Sequence, residues 1–168
     1  MIERVARDSG LEFELVNGAF TASSDCGFTF GRWLELAGIA EGVRRGLEVE
    51  LRADVAGRAA TSLFPGIVEV LRHRSRTARQ VLITAGDTDT QLWKLGLLEP
   101  IQPVFALEDR HVVPIRGSKA SVMARYVGAG RMTFIDDTAR WHEEAQTLGL
   151  KLLHIRPLFT DYARAKTH

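Results

Sequence analysis

Short apolar runs alternate with helical patterns along the second half of the chain. Each run has the length of a buried strand, and the runs lie at residues 80–84, 103–107, 131–136 and 150–155. Between them apolar residues recur at helical spacing, as at Trp141, Ala145 and Leu148. Helices that alternate with wholly apolar strands are typical of a parallel sheet covered on both faces. The pattern predicts an α/β protein with a three-layer, Rossmann-like parallel sheet.

Residues that favour helix starts support this interpretation of the second half. Pro65 suits the first turn of a helix over residues 63–75. Asp87 or Thr88 is expected to cap the next helix, and Ser118 is expected to begin another. The predicted helices therefore fall between the predicted strands.

The first 64 residues carry a less regular pattern. Residues 11–23 alternate between apolar and polar around Asn17-Gly18, a dipeptide typical of a tight hairpin turn. Residues 32–57 favour helix, although several glycines interrupt them. We interpret residues 30–62 as a small or vestigial helical cap within a single domain that spans residues 1–168.

Composition places the chain among ordinary globular proteins. Its 168 residues fit one domain, and a hydrophobic share of 45% is enough for a core. The formal net charge is +1, without the basic face that nucleic-acid binding usually requires. The densest basic cluster, residues 72–76, fits a solvated helix end. We therefore expect no nucleic-acid partner.

Cysteine usage and hydropathy bear on the compartment. Cys26 is the single cysteine, so no disulfide can form within the chain. No apolar run approaches the roughly 20 residues that a membrane span needs. The first ten residues also lack an apolar signal region. We expect a cytoplasmic protein with no membrane partner.

Polar side chains stand where two of the predicted strands end. Thr84 ends one apolar run, and Asp136 and Asp137 end another. Parallel sheets bind ligands beyond the carboxyl ends of their strands, so these side chains are expected at one rim. Adjacent carboxylates repel each other, and a hard cation such as Mg²⁺ would offset that repulsion. Alternatively, Asp137 caps the next helix and Asp136 is a solvated strand end. The spacing alone does not distinguish these two interpretations.

The order of these features resembles the haloacid dehalogenase superfamily of phosphohydrolases. Residues 63–98 are similar to the segment that leads into the second motif of that family, with Thr84 as its hydroxyl residue. Residues 117–127 are similar to the third motif, with Lys119 as its lysine. Ala120 departs from the pattern, because the family very often has proline there.

Residues 132–155 resemble the fourth motif, the most specific of the three, with Asp136 and Asp137 as its paired acids. The resemblance implies that these carboxylates hold Mg²⁺. Asp136 would be a direct ligand of the ion, and Asp137 would either be a direct ligand or contact one of the ion's other ligands. The resemblance also implies that Thr84 hydrogen-bonds a phosphate oxygen and that Lys119 neutralises developing phosphoryl charge.

The first motif of the family, D-x-D-x-T after an apolar strand, is degenerate in this chain. Its first Asp is the nucleophile and a metal ligand, and its second is the general acid and base. In residues 25–29, Asp25 and Thr29 match this motif while Gly27 replaces the second acid. This interpretation keeps a nucleophile and a third carboxylate for Mg²⁺.

Residues 15–20 are the other candidate remnant of the first motif. There Leu15 and Asn17 replace the two acids, and leucine can neither attack phosphorus nor bind a metal. We favour Asp25, because it retains usable chemistry. Under both interpretations the general acid is lost, and such a group is typically worth roughly 10²–10⁴ in rate.

These residues lead to two expectations about function. The first is a slow Mg²⁺-dependent phosphohydrolase or phosphotransferase, with Asp25 and Lys119 catalytic and with Asp25, Asp136 and Asp137 on the metal. The alternative is a pseudoenzyme that binds a small phosphorylated molecule or a phosphorylated partner without turnover. A reduced cap would leave the site open to a large partner or to a second copy of the chain in a homodimer.

Overall fold

Helices make up the N-terminal part of the chain and carry its hydrophobic core. The computed structural model describes residues 1–136 and 138–154. Its first four helices are α1 (Ile2–Ser9), α2 (Phe13–Asp25), α3 (Phe30–Leu36) and α4 (Glu41–Arg58). The indole N–H of Trp33 donates to the main-chain oxygen of Val16 at 3.0 Å, which ties α3 to α2. The largest buried apolar side chains of this core are Val5, Val16, Phe30, Trp33, Leu34, Ile39, Leu47 and Leu51.

Contacts divide the chain into two compact units, the first ending at Arg116 and the second beginning at Gly117. The first unit continues after α4 with a 3₁₀ turn (Ala59–Ser62), α5 (Ile67–Ser75), β1 (Leu82–Ala85), α6 (Thr88–Gly96), 3₁₀ turns at Gln102–Val104 and Leu107–Asp109, and β2 (Arg110–Val113). Strands β1 and β2 are parallel, with Leu82 opposite Arg110.

The second unit is smaller and contains a second pair of strands. Its described elements are α7 (Lys119–Met123), β3 (Thr133–Asp136), α8 (Ala139–Gln146) and β4 (Lys151–His154). Strands β3 and β4 are parallel, with Thr133 opposite Lys151 and Asp136 opposite His154.

The predicted three-layer, Rossmann-like parallel sheet is wrong. The described residues form two separate two-stranded sheets, β1–β2 and β3–β4, instead of one continuous sheet. The side chains of β1 are all half-buried, and those of β3 alternate between exposed and half-buried. Strands in a sheet covered on both faces would be buried throughout. The main core is formed by helices instead.

The predicted hairpin at Asn17-Gly18 is also wrong, because α2 runs through both residues. Val16, Ala19 and Ser23 are buried along one side of this helix. Their helical spacing outweighs the local turn preference of Asn-Gly, since burying that face gains more than a turn would.

The strand predicted at residues 103–107 is wrong as well. Pro103 lies in the first turn of the 3₁₀ segment there, and the strand that pairs with β1 is β2, further along the chain. The other three predicted strands correspond to β1, β3 and β4.

Residues 30–62 are mostly helical, as the pattern indicates, and they comprise α3, α4 and a 3₁₀ turn. Phe30, Trp33 and Leu51 from this segment belong to the main core. Its role as a cap within a single domain stays a prediction. In the part of the chain that the structure describes, no helix has the length and apolar character needed to cross a membrane.

Candidate functional site

Lys119 and Asp136, which the resemblance assigns to different motifs, contact each other in the second unit. The Nζ atom of Lys119 donates to Oδ2 of Asp136 at 2.7 Å. Their side chains retain only 8% and 11% of their exposure. A buried charge is costly unless it is paired, so each side chain offsets the charge of the other.

Local sequence positions this pair. The Oγ atom of Ser118 accepts a hydrogen bond from the N–H of Ala120 at 3.1 Å, so α7 begins with Lys119 in its first turn. The same hydroxyl donates to Oε2 of Glu144 on α8 at 2.7 Å. Asp136 is the last residue of β3. The start of α7 and the end of β3 are therefore held in place around the ion pair.

Further contacts orient Asp136 and Lys119. The N–H of Thr138 donates to Oδ1 of Asp136 at 2.9 Å. Nε2 of His142 lies 2.8 Å from the main-chain oxygen of Asp136 and donates to it, because that oxygen can only accept. The centroid of the Trp141 ring lies 5.1 Å from Nζ of Lys119, a favourable position for a cation.

The pKa of Asp136 reflects two opposing effects. Burial of the carboxyl group raises the pKa. Hydrogen bonds from Lys119 and from the N–H of Thr138, together with the charge of Lys119, lower it and outweigh burial. The pKa therefore lies below its ordinary value, and Asp136 is ionised at neutral pH.

The donor set at Asp136 fits one kind of Mg²⁺ binding. Mg²⁺ commonly uses one or two carboxylates and completes its coordination with waters and substrate phosphates. After its bonds to Lys119 and Thr138, each Asp136 oxygen still has acceptor capacity. The residue fits a Mg²⁺ ion that arrives with a phosphorylated ligand. Among residues 1–136 and 138–154, no three His, Cys, Asp or Glu side chains converge to hold an ion by themselves. Asp137 lies outside the described residues.

Thr84 lies near the carboxyl end of β1 in the first unit. Its hydroxyl donates to Oε1 of Gln91 on α6 at 2.8 Å. Gly86 makes room for this contact, because a Cβ there would lie 2.6 Å from Nε2 of Gln91. To donate to a phosphate oxygen, Thr84 would have to release Gln91.

Asp25 ends α2, is exposed and does not follow a strand. The residues after it nevertheless border the carboxyl edge of the β1–β2 sheet, where they line an open groove of about 690 Å³. A Cβ at Gly27 would meet Cβ of Ile115 at 3.4 Å, which shows how closely this loop packs on the edge. In contrast, Leu15 is 51% exposed and shares α2 with Asn17, so neither lies at a strand end.

Of the predicted site residues, the structure brings Lys119 and Asp136 into contact, whereas Thr84 and Asp25 belong to the first unit. Helical periodicity predicts the inward position of Trp141 but not its place beside Lys119. His142 and Glu144 were missed. No motif marks them, because their contacts depend on how α8 packs on β3 and α7.

No family model, curated protein or solved structure matches this chain. The resemblance to the haloacid dehalogenase superfamily therefore rests on the motif residues alone.

Proposed function

We propose that this protein handles phosphoryl groups at the carboxyl end of β3, as a slow Mg²⁺-dependent phosphohydrolase or phosphotransferase related to the haloacid dehalogenase superfamily. The observation that carries the proposal is the 2.7 Å contact between Lys119 and Asp136. The resemblance takes these residues from separate motifs, and they meet at the end of a parallel strand, where such sheets bind ligands.

The chemistry of the pair suits a phosphorylated ligand. The ammonium group of Lys119 has three N–H donors, and Asp136 accepts from one of them. The remaining donors can reach phosphoryl oxygens, and low local polarity strengthens that interaction. Because the Lys119–Asp136 pair is neutral, it attracts a dianion weakly by itself. Mg²⁺ bound with the ligand at Asp136 would supply the missing positive charge.

Slow turnover follows from the degenerate first motif. Asp25 remains the candidate nucleophile that the resemblance implies. The loop that follows Asp25 borders the carboxyl edge of the β1–β2 sheet, a position where parallel sheets bind ligands. Gly27 stands in place of the second acid, so a proton-transfer group is missing.

Phosphate release from a panel of phosphoesters, with and without Mg²⁺, tests this proposal. We expect release that depends on Mg²⁺ and is lost in Asp136→Asn and Lys119→Met. Asp89→Asn is the matched control, because Asp89 is an exposed carboxylate on α6. Absence of turnover in the wild type, or equal turnover in Asp136→Asn, would contradict the enzyme.

A second candidate is binding of a phosphorylated small molecule or partner without turnover. The observation that favours it is the exposed position of Asp25, which ends a helix and does not follow a strand. This candidate predicts Mg²⁺-assisted binding of a phosphoester by calorimetry, weakened in Lys119→Met, with no phosphate released. Robust turnover that Asp25→Asn abolishes would exclude it.

The proposal also includes a cytoplasmic location, which suits the free, exposed thiol of Cys26. A homodimer stays part of it as well. Leu36, Val43 and Val49 on α3 and α4 are 46%, 53% and 68% exposed, so a second copy of the chain could cover them. Sedimentation of the wild type and of Val49→Glu would test the dimer.

A further inference from the structure

The second unit contains a groove at the amino end of its sheet, away from the Lys119–Asp136 pair. It has a volume of about 420 Å³, within the range of small-molecule sites. Its walls are the segment that enters β3, residues 127–133, and the segment that enters β4, residues 148–151. The four residues of β3 separate the groove from Asp136 by about 10 Å, at about 3.3 Å per residue.

Two charged residues of the described chain line this groove, and both are cations. Arg131 precedes β3 and Lys151 begins β4, and the parallel register places Lys151 opposite Thr133. Both side chains are exposed, and neither makes an ion pair or a side-chain hydrogen bond within the described chain. Because no carboxylate among the described residues lines the groove, its positive charge is not balanced within that part of the chain.

Main-chain donors add to this positive character. Gly128 and Gly130 have φ angles of 94° and 136°, a conformation that side chains disfavour. In residues 1–136 and 138–154, their N–H groups have no acceptor. The N–H of Ala129, which lies between them, donates to the main-chain oxygen of Tyr126 at 3.1 Å, so the two glycine N–H groups are the ones that can donate to an anion here.

The rest of the lining is largely apolar. Val127, Met132, Leu148 and Leu150 contribute to the walls, and Val127 is 49% exposed. A bare inorganic ion would leave this surface in contact with water. An anion that carries an apolar or aromatic body would cover it, and burial of that body would add to the binding free energy.

We propose that this groove binds a small organic phosphate, with its phosphate beside Arg131 and Lys151 and its apolar body on Val127 and Leu148. Arginine favours phosphate because its planar group donates two parallel hydrogen bonds, and lysine adds a mobile point charge. The free N–H groups of Gly128 and Gly130 donate to the remaining oxygens. This site is separate from the one at Asp136 and does not depend on the proposed function.

Nuclear magnetic resonance titration of the full chain tests the site, with adenosine 5′-monophosphate and adenosine as a matched pair of probes. We expect saturable shifts of the Gly128, Gly130 and Gly149 amides with the monophosphate. Adenosine, which lacks the charge, should bind at least about tenfold more weakly. Added salt should weaken monophosphate binding, because exposed charges are screened.

Single substitutions test whether the charges of Arg131 and Lys151 bind the phosphate. Arg131→Gln and Lys151→Gln should each weaken monophosphate binding about tenfold. Arg125→Gln is the control, because Arg125 is an exposed arginine of the same unit that does not line the groove. All three substitutions change exposed side chains, so the amide spectrum should remain that of the folded protein.

Three results would contradict the binding of an organic phosphate in this groove. They are no saturable shift of its glycine amides, equal binding of adenosine, and equal binding by the Arg131 and Lys151 variants. If the shifts instead centre on Lys119 and Asp136 and disappear in Lys119→Met, the groove is excluded while the proposed function gains support. If the shifts occur only in the groove, the groove site gains support and the proposed function does not. The two proposals can therefore fail separately.

Discussion

At the scale of single residues, Lys119 and Asp136 are more buried than charged side chains normally are. The contact between them explains why an acid, Asp136, can follow an apolar strand, because its carboxylate pairs with an ammonium group of the chain itself. Such a pair adds little net stability compared with apolar residues, but loss of one member leaves a buried charge without a partner.

Replacing one member of the pair should therefore destabilise the protein strongly. We expect Lys119→Met or Asp136→Asn to lower the free energy of unfolding by about 3 kcal/mol, measured by urea denaturation. The double variant Lys119→Met/Asp136→Asn should lose less than the sum of the two single losses, because it leaves no unpaired charge. Single variants within about 0.5 kcal/mol of the wild type would mean that the pair is solvated.

The lowered pKa of Asp136 gives stability a defined pH dependence. In the unfolded chain the aspartate pKa is about 3.9, above its value in the folded protein. The contribution of Asp136 is therefore complete above the unfolded pKa and is lost as the pH falls through the folded pKa. Urea denaturation from pH 6 down to about pH 3 should show a shallower decline for Asp136→Asn than for the wild type. A parallel decline would assign the acid sensitivity to other groups.

At the scale of elements, local chemistry predicts side-chain caps better than it predicts strands. The helix start expected around Pro65 is wrong, because α5 begins at Ile67. Ser118 and one of the two proposed caps, Asp87, begin helices as expected, since a cap depends only on residues within one turn. The strand predicted at 103–107 failed because an apolar run shows that a segment is buried, not how its backbone pairs.

The cap at Asp87 makes a prediction at this scale. Its Oδ1 accepts from the N–H of Thr90 at 2.8 Å, and this bond is the main reason that its pKa is lowered. Asp87→Ala should cost about 1 kcal/mol in the free energy of unfolding, whereas Asp89→Ala, two residues further on in the first turn of α6, should cost much less. Equal losses would point to a general effect of negative charge near the start of α6 rather than to the cap.

At the scale of the whole molecule, the sequence singled out two residues that lie in contact, Lys119 and Asp136, but did not predict how the sheets assemble. Lys119 and Asp136 could be selected because each stands beside a short local pattern, a helix start for Lys119 and the end of an apolar run for Asp136. Pairing of β1 with β2 and of β3 with β4 joins residues far apart in sequence, and local periodicity carries no information about such partners. The helical core around Trp33 was also missed, because glycines interrupt the apolar pattern of residues 32–57.

The location of the core leads to a test by hydrogen exchange. Helices α2, α3 and α4 contain the most buried side chains, whereas those of β1 and β3 are half-buried or exposed. Amides in segments with few buried contacts open at lower free energy, so peptides from β1 and β3 should exchange faster than peptides from α3 and α4. The contrast should be clearest between Trp33, with 0% exposure, and Ile135, with 53%. A three-layer sheet would protect its strands most of all, so slow exchange in β1 and β3 would restore that architecture, whereas fast exchange locates the stable core in the helices.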